Sequence, residues 1–236
     1  LTICILALSF CGCSSKQANS KIISPKQVKT YILSQKQVTT SNERARGISA
    51  YGEISIMPVG YEKVEQLGAD SCYGKAADYS ITGDYNVIYK PGNGKKKSIT
   101  SLKNLRIIRP LNSVIELNRL AAGDTDIFYF IPEYSGSNDV EVRFFGITKQ
   151  KEAFQFKIES NKARGSGDFN VLSDSTEVAS TVMKDYFPPQ IVNKDNIELI
   201  AAYSEPGAQD WRIYKVVFHA DVKKHVLKYV SKEEIK

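Results

Sequence analysis

Apolar and polar positions are arranged along this chain in three ways. Residues 1 to 10 form an uncharged, almost wholly apolar run, and residues 14 to 23, Ser-Ser-Lys-Gln-Ala-Asn-Ser-Lys-Ile-Ile, read as a polar tether. From about residue 48 the dominant pattern is alternation, in Gly52-Glu53-Ile54-Ser55-Ile56, in Val140-Glu141-Val142-Arg143-Phe144 and in Phe154-Gln155-Phe156-Lys157-Ile158. A strand sends successive side chains to opposite faces, so a period of two predicts half-buried antiparallel strands. The polar residues 147–152 between the last two runs predict a hairpin over 140–158. Pro91-Gly92 and Asn93-Gly94 supply turn geometry and predict another hairpin there.

Two segments carry helical spacing. Ser24 and Pro25 suit an N-cap and a first helical position, and Val28, Tyr31 and Ile32 follow on one face, which predicts a short helix over 25–35. Asp174 and Glu177 form a capping-box-like start, Val178, Val182, Met183 and Tyr186 share a face, and Pro188-Pro189 is a stop. This apolar stripe is expected to pack on a sheet.

Three phrases look alike: Gly83-Asp84-Tyr85-Asn86-Val87, Gly123-Asp124-Thr125-Asp126-Ile127 and Gly167-Asp168-Phe169-Asn170-Val171, spaced by 40 and 44 residues. Residues 127–135 and 197–204 form a second similar pair, ending in Tyr134-Ser135 and Tyr203-Ser204. A period near 40 residues matches a β-propeller blade. The Gly-Asp-x-Asn/Asp phrase resembles FG-GAP-type propeller repeats, but it lacks their fuller acidic calcium loop, so the resemblance implies no metal site. The expected fold is mainly β: antiparallel hairpins, arranged as propeller-like repeats of about 40 residues or in some other antiparallel way, with one or two short helices. The alternative is an α+β fold with a single antiparallel sheet.

Composition adds bounds. With 236 residues, 42% hydrophobic and 25% charged, the chain suffices for one sizeable domain or two small ones with a real core. The net charge of +6 is mostly lysine, with Lys95-Lys96-Lys97 the densest run. Such an excess serves as a solvated surface, or draws the protein toward anionic head groups or acidic wall polymers. No clustered arginine and aromatic motif argues for nucleic acid.

The apolar start ends in Phe10-Cys11-Gly12-Cys13, followed by Ser14-Ser15-Lys16. A run of that length suits a signal-peptide core and is too short to span a bilayer, which takes about 20 apolar residues. The sequence resembles the lipobox of bacterial lipoproteins, in which a small residue precedes a cysteine that receives diacylglycerol before cleavage. Gly12 and Cys13 match that motif. Phe10 and Cys11 depart from it, standing where Leu and Ala or Ser are usual. The resemblance implies a signal peptide over 1–12 that lacks its N-terminal start, a lipidated tether over 13–23 beginning at Cys13, and an extracytoplasmic β-rich domain over 24–236. The alternatives are a secretory signal cleaved elsewhere and a buried N-terminal strand. Cys4 and Cys11 also lie in the leader, so Cys72 is left without a disulfide partner and reads as a small hydrophobe.

Candidate chemistry is sparse. Lys90 to Ser98 superficially suggests a phosphate loop, but only Asn93 separates the glycines and Lys96 stands where Ser or Thr should hold magnesium. His219 and His225 are six apart, where a helical zinc pair wants four, and read as surface or rim residues. The pairs at 84/86, 124/126 and 168/170 supply too few oxygens for calcium and suit Asx-turns. Tyr129, Tyr134, Tyr203 and Trp211 belong to a core or rim, or to a carbohydrate-binding face. No Gly-x-Ser-x-Gly nominates a nucleophile. The sequence therefore predicts no catalytic residue, no metal and no cofactor. It points to an anchored binding or accessory protein at the cell envelope, with a wall polymer or envelope protein as partner. An extracytoplasmic hydrolase with a carboxylate-based site is the alternative.

Overall fold

The computed structural model describes residues 31–33, 43–71, 74–133, 139–159, 172–179, 188–203 and 212–235. All regular structure among them is strand. Six strands come first: β1 (Tyr31–Leu33), β2 (Ala45–Ser49), β3 (Gly52–Gln66), β4 (Tyr79–Lys90), β5 (Lys97–Arg109) and β6 (Ile115–Glu116). They form one sheet in the order β5-β4-β3-β2-β6, with β1 also paired to β3. The next four are β7 (Asn118–Ala122), β8 (Thr125–Phe130), β9 (Asp139–Thr148) and β10 (Ala153–Gln155). The rest are β11 (Lys157–Glu159), β12 (Leu172–Ser173), β13 (Thr176–Ala179), β14 (Gln190–Asn193), β15 (Asn196–Tyr203), β16 (Arg212–Asp221) and β17 (Val226–Ile235). The second sheet runs β10-β9-β8-β7, with β13 on β9, and the third runs β12-β11-β17-β16-β15-β14.

The second sheet is the middle layer of three. Ile127 and Tyr129 of β8 join Val142 and Phe144 of β9 in a core shared with Leu199, Val216 and Phe218 of the third sheet. Phe128 and Phe130, with Phe145 and Ile147, face the other way onto Ile54, Ile56, Val87 and Leu105 of the first sheet. All six residues of β8 are buried. A strand covered on both faces reads as a continuous apolar run, and Ile127-Phe128-Tyr129-Phe130-Ile131 is one.

Both expected hairpins form. Ala153 pairs with Ile147 and Gln155 with Phe145, and β4 turns into β5 through residues 91–96. At Phe156 the chain changes layers. Its N–H donates to Phe144 O at 2.9 Å, whereas the next N–H, of Lys157, donates to His225 O at 2.8 Å. One alternating run thus serves two sheets.

Several expectations are corrected. Residues 31–33, inside the expected helix 25–35, are strand, with Tyr31 opposite Val64 and Leu33 opposite Glu62. Thr176–Ala179, inside the second expected helix, pairs with β9, Thr176 opposite Val142. Both segments are short, and an exposed strand edge offers each of them a full set of backbone partners, which overrides local spacing. Residues 25–30, 34–35 and 180–187 lie outside the described residues. Three sheets stand where the alternative expected one. The Gly-Asp phrases also differ in placement. Gly83-Asp84 lies inside β4, and Gly123-Asp124 makes the β7–β8 turn, with Gly123 at φ +56°. Gly167-Asp168 lies outside the described residues. The period near 40 is therefore one of phrases and does not mark equivalent positions in successive blades.

Candidate functional site

The most irregular part of the first sheet starts at Met57-Pro58-Val59-Gly60-Tyr61. Pro58 has no N–H for a ladder, and Gly60 adopts φ +78°, the signature of a bulge. Val59 lies opposite Asp84 and Lys63 opposite Thr82, so residues 60–62 share the single partner Gly83. On the other side of β4, Gly83 lies opposite Leu105 and Tyr85 opposite Leu102, so β5 also carries an extra residue, with Asn104 at φ +48°. Gly83 has little room for a side chain, since a Cβ there would meet Glu62 Cγ at 3.2 Å.

Bulges bend and twist the strand that carries them. Here they leave an open cleft of about 640 Å³, walled by Val59, Tyr61, Lys63, Thr82, Asp84 and Asn104. Tyr61 is 65% exposed and Val59 40%. An aromatic face and an aliphatic edge thus stand among a hydroxyl, an amide and both signs of charge.

Under the cleft floor Glu62 is buried, and its carboxylate is fully engaged. Arg44 Nε donates to Oε1 at 2.9 Å and Nη2 to Oε2 at 2.7 Å, a two-pronged pair. The Tyr85 hydroxyl donates to Oε1 at 2.8 Å, and Arg44 Nη1 donates to the Leu111 carbonyl at 2.9 Å. Burial and the neighbouring Glu62 charge push the Tyr85 phenol far above its ordinary value, so it remains a donor. The other carboxylate, Asp84, accepts from Lys103 Nζ at 2.8 Å and from the Asn104 N–H at 2.9 Å. These bonds hold its pKa below the ordinary aspartate value. A general acid must carry a proton near working pH, and the bonds to Asp84 favour its charged form instead.

A second cleft of about 520 Å³ lies along β2, β6 and the start of β7, where exposed Ile48 and Val114 meet Arg46, Glu116 and Arg119. Its charges are of mixed sign, and Arg46 is paired with Glu53 at 3.0 Å.

The residues singled out in the sequence are scattered. Asn86 accepts from the Ser101 hydroxyl at 2.7 Å, and Asp126 lies 3.6 Å from Arg119, so each serves a strand neighbour. Asp124 lies in its turn, 3.9 Å from Lys149. His219 Nδ1 lies 3.1 Å from Asn196 Oδ1 on the exposed face of β16. His225 stacks on Phe154 with ring centroids 3.8 Å apart, and its Nε2 lies 3.4 Å from Glu152. Tyr129 is buried in the core. Lys90 to Ser98 forms a hairpin turn in which the Gly94 N–H donates to Pro91 O at 2.5 Å. Cys13, Cys72, Tyr134, Asp168, Asn170 and Trp211 lie outside the described residues, as does the side chain of Tyr203. Among the described residues, no group of three or more His, Cys, Asp or Glu is placed to hold a metal.

Sequence reasoning missed Arg44, Tyr61, Glu62 and Tyr85. The available signals were Pro58 and Gly60 interrupting a strand pattern, and a carboxylate in a core slot, two residues before Val64 and in phase with Ile54 and Ile56. Comparison of the chain with protein-family models, with curated proteins and with solved structures finds no significant match.

Proposed function

We propose that this chain is a lipid-anchored protein of the cell envelope that binds an extracytoplasmic wall polymer and does not transform it. The lipobox-like Phe10-Cys11-Gly12-Cys13 supports the location: a thioether-linked diacylglycerol on Cys13 holds the chain at the outer face of a membrane, since two acyl chains suffice for stable anchoring. The observation that carries the binding role is the cleft at the β3 bulge. It is open, it presents Tyr61, and both its carboxylates are already engaged by cations. A glycosidase of the usual kind needs two free carboxylates flanking the scissile bond, and this cleft lacks that pair. An exposed ring beside amide and hydroxyl groups suits a saccharide chain, whose apolar ring faces stack and whose hydroxyls hydrogen-bond.

The test is equilibrium binding of solubilised wall glycan to the full chain and to Tyr61→Ala, with new reducing ends measured in parallel. The reading expects binding that weakens about tenfold in the variant, the order of one aromatic contact, and no new reducing ends. Equal binding by both proteins would remove the cleft from the account, and glycan cleavage would replace binding with hydrolysis.

A further inference from the structure

We propose that the tip of the β4–β5 hairpin is an electrostatic docking surface for a bilayer that contains anionic phospholipid. Two long stretches of this chain carry lysine with no acid between: residues 1–42, with five Lys spread singly, and residues 85–115. Residues 85–115 hold seven Lys and Arg and no Asp or Glu, so this stretch alone exceeds the net charge of +6. Three of the seven are engaged within the fold. Lys103 pairs with Asp84, Arg106 with Glu133 at 2.7 Å, and Arg109 donates to the carbonyls of Ile108 and Ile131. The other four, Lys90, Lys95, Lys96 and Lys97, stand together at the hairpin tip, all exposed. Among the described residues none of these four ammonium groups has an ion-pair partner.

The shape of the tip selects the partner. Neither of the two clefts described includes any of the four lysines, and all four are exposed. The arginines of the stretch are occupied, which leaves no planar fork for two-pronged anion recognition. What remains is a convex set of point charges on flexible stems, suited to a broad anionic surface. The adjoining row fits the same partner. Glu53 lies opposite Lys90 on one side and opposite Ile48 on the other. Glu53 is paired with Arg46, and Ile48 is 62% exposed. An exposed aliphatic in the same cross-strand row as Lys90, two strands away, offers an interfacial contact as well as charge. The proposal does not depend on lipidation of Cys13.

The experiment is sedimentation of the full chain with vesicles of phosphatidylcholine alone or mixed with phosphatidylglycerol. Binding to the neutral vesicles reports the apolar leader, and the part of the anionic increment that a tip variant loses reports the tip, since Lys16, Lys21, Lys26, Lys29 and Lys36 are common to both proteins. A juxtamembrane lysine contributes about fivefold to partitioning. Changing Lys90, Lys95, Lys96 and Lys97 together to Gln is therefore expected to cut the increment by roughly a hundredfold or more. Rising salt should abolish it in the unmodified protein. A control changing Lys75, Lys151, Lys194 and Lys223 to Gln removes the same charge elsewhere and should keep most of the increment. The proposal is overturned if the unmodified protein shows no increment, if the tip variant keeps it, or if the control loses as much. Capture of soluble polyphosphate without vesicle binding would make a soluble polyanion the partner instead.

Discussion

Arg44 and Glu62, 18 residues apart in sequence, meet as a buried two-pronged ion pair whose side chains are only 7% and 2% exposed. The pair joins the start of β2 to the bulge of β3, and the Tyr85 hydroxyl ties β4 to the same carboxylate. A buried charge left without its partner costs about 3–5 kcal/mol. Arg44→Met and Glu62→Leu should each destabilise the protein by that order in urea titrations. The double variant should cost much less than the two together, because apolar replacement of a whole buried pair is often neutral. Additive losses would mean that the two groups act independently. Tyr85→Phe should cost about 1.5–3 kcal/mol, the range for a hydrogen bond to a charged group.

Gly47 of β2 marks where the first two sheets touch. A Cβ there would meet Phe128 Cδ1 at 2.6 Å and Leu117 Cβ at 2.9 Å. Gly47→Ala therefore forces Phe128 or the sheet to shift, at a cost of about 1–3 kcal/mol. Thermal unfolding followed by near-ultraviolet circular dichroism measures it. An unchanged midpoint would contradict the close contact between layers.

Acid stability is expected to depend on Asp84 and Asp221. Hydrogen bonds from Lys103 and from Lys228 are the largest influences, and each lowers the pKa of its aspartate. The folded values lie below the unfolded ones. Each carboxylate thus adds stability that is complete above the ordinary aspartate range and is lost as pH falls through its depressed folded value. Asp84→Asn with Asp221→Asn should flatten the fall in stability on the acid side of that range. Both groups are only partly buried, so solvent screening keeps the effect modest. A variant with the same acid slope as the unmodified protein would contradict it.

The β character, the 140–158 hairpin and the turn at Pro91 were legible because alternation and turn chemistry are local. The layering was legible only in part: Ile127 to Ile131 is apolar throughout, but a short apolar run does not say which sheets cover it. The helical spacing of Val28, Tyr31 and Ile32 misled because a strand edge more than twenty residues away supplied the partners of Tyr31 to Leu33. The cleft was illegible for the same reason. Arg44, Glu62 and Tyr85 meet only after β2, β3 and β4 have paired, and the loop at 60–62 is defined against Gly83, which alternation cannot reveal.

The role proposed for Cys13, as the lipid-bearing residue of an exported protein, is decided by mass spectrometry of the native product purified from membranes in detergent. The expected result is a mature chain that begins at Cys13 and carries a diacylglycerol on sulfur. An unmodified Cys13 within an uncleaved chain would contradict it.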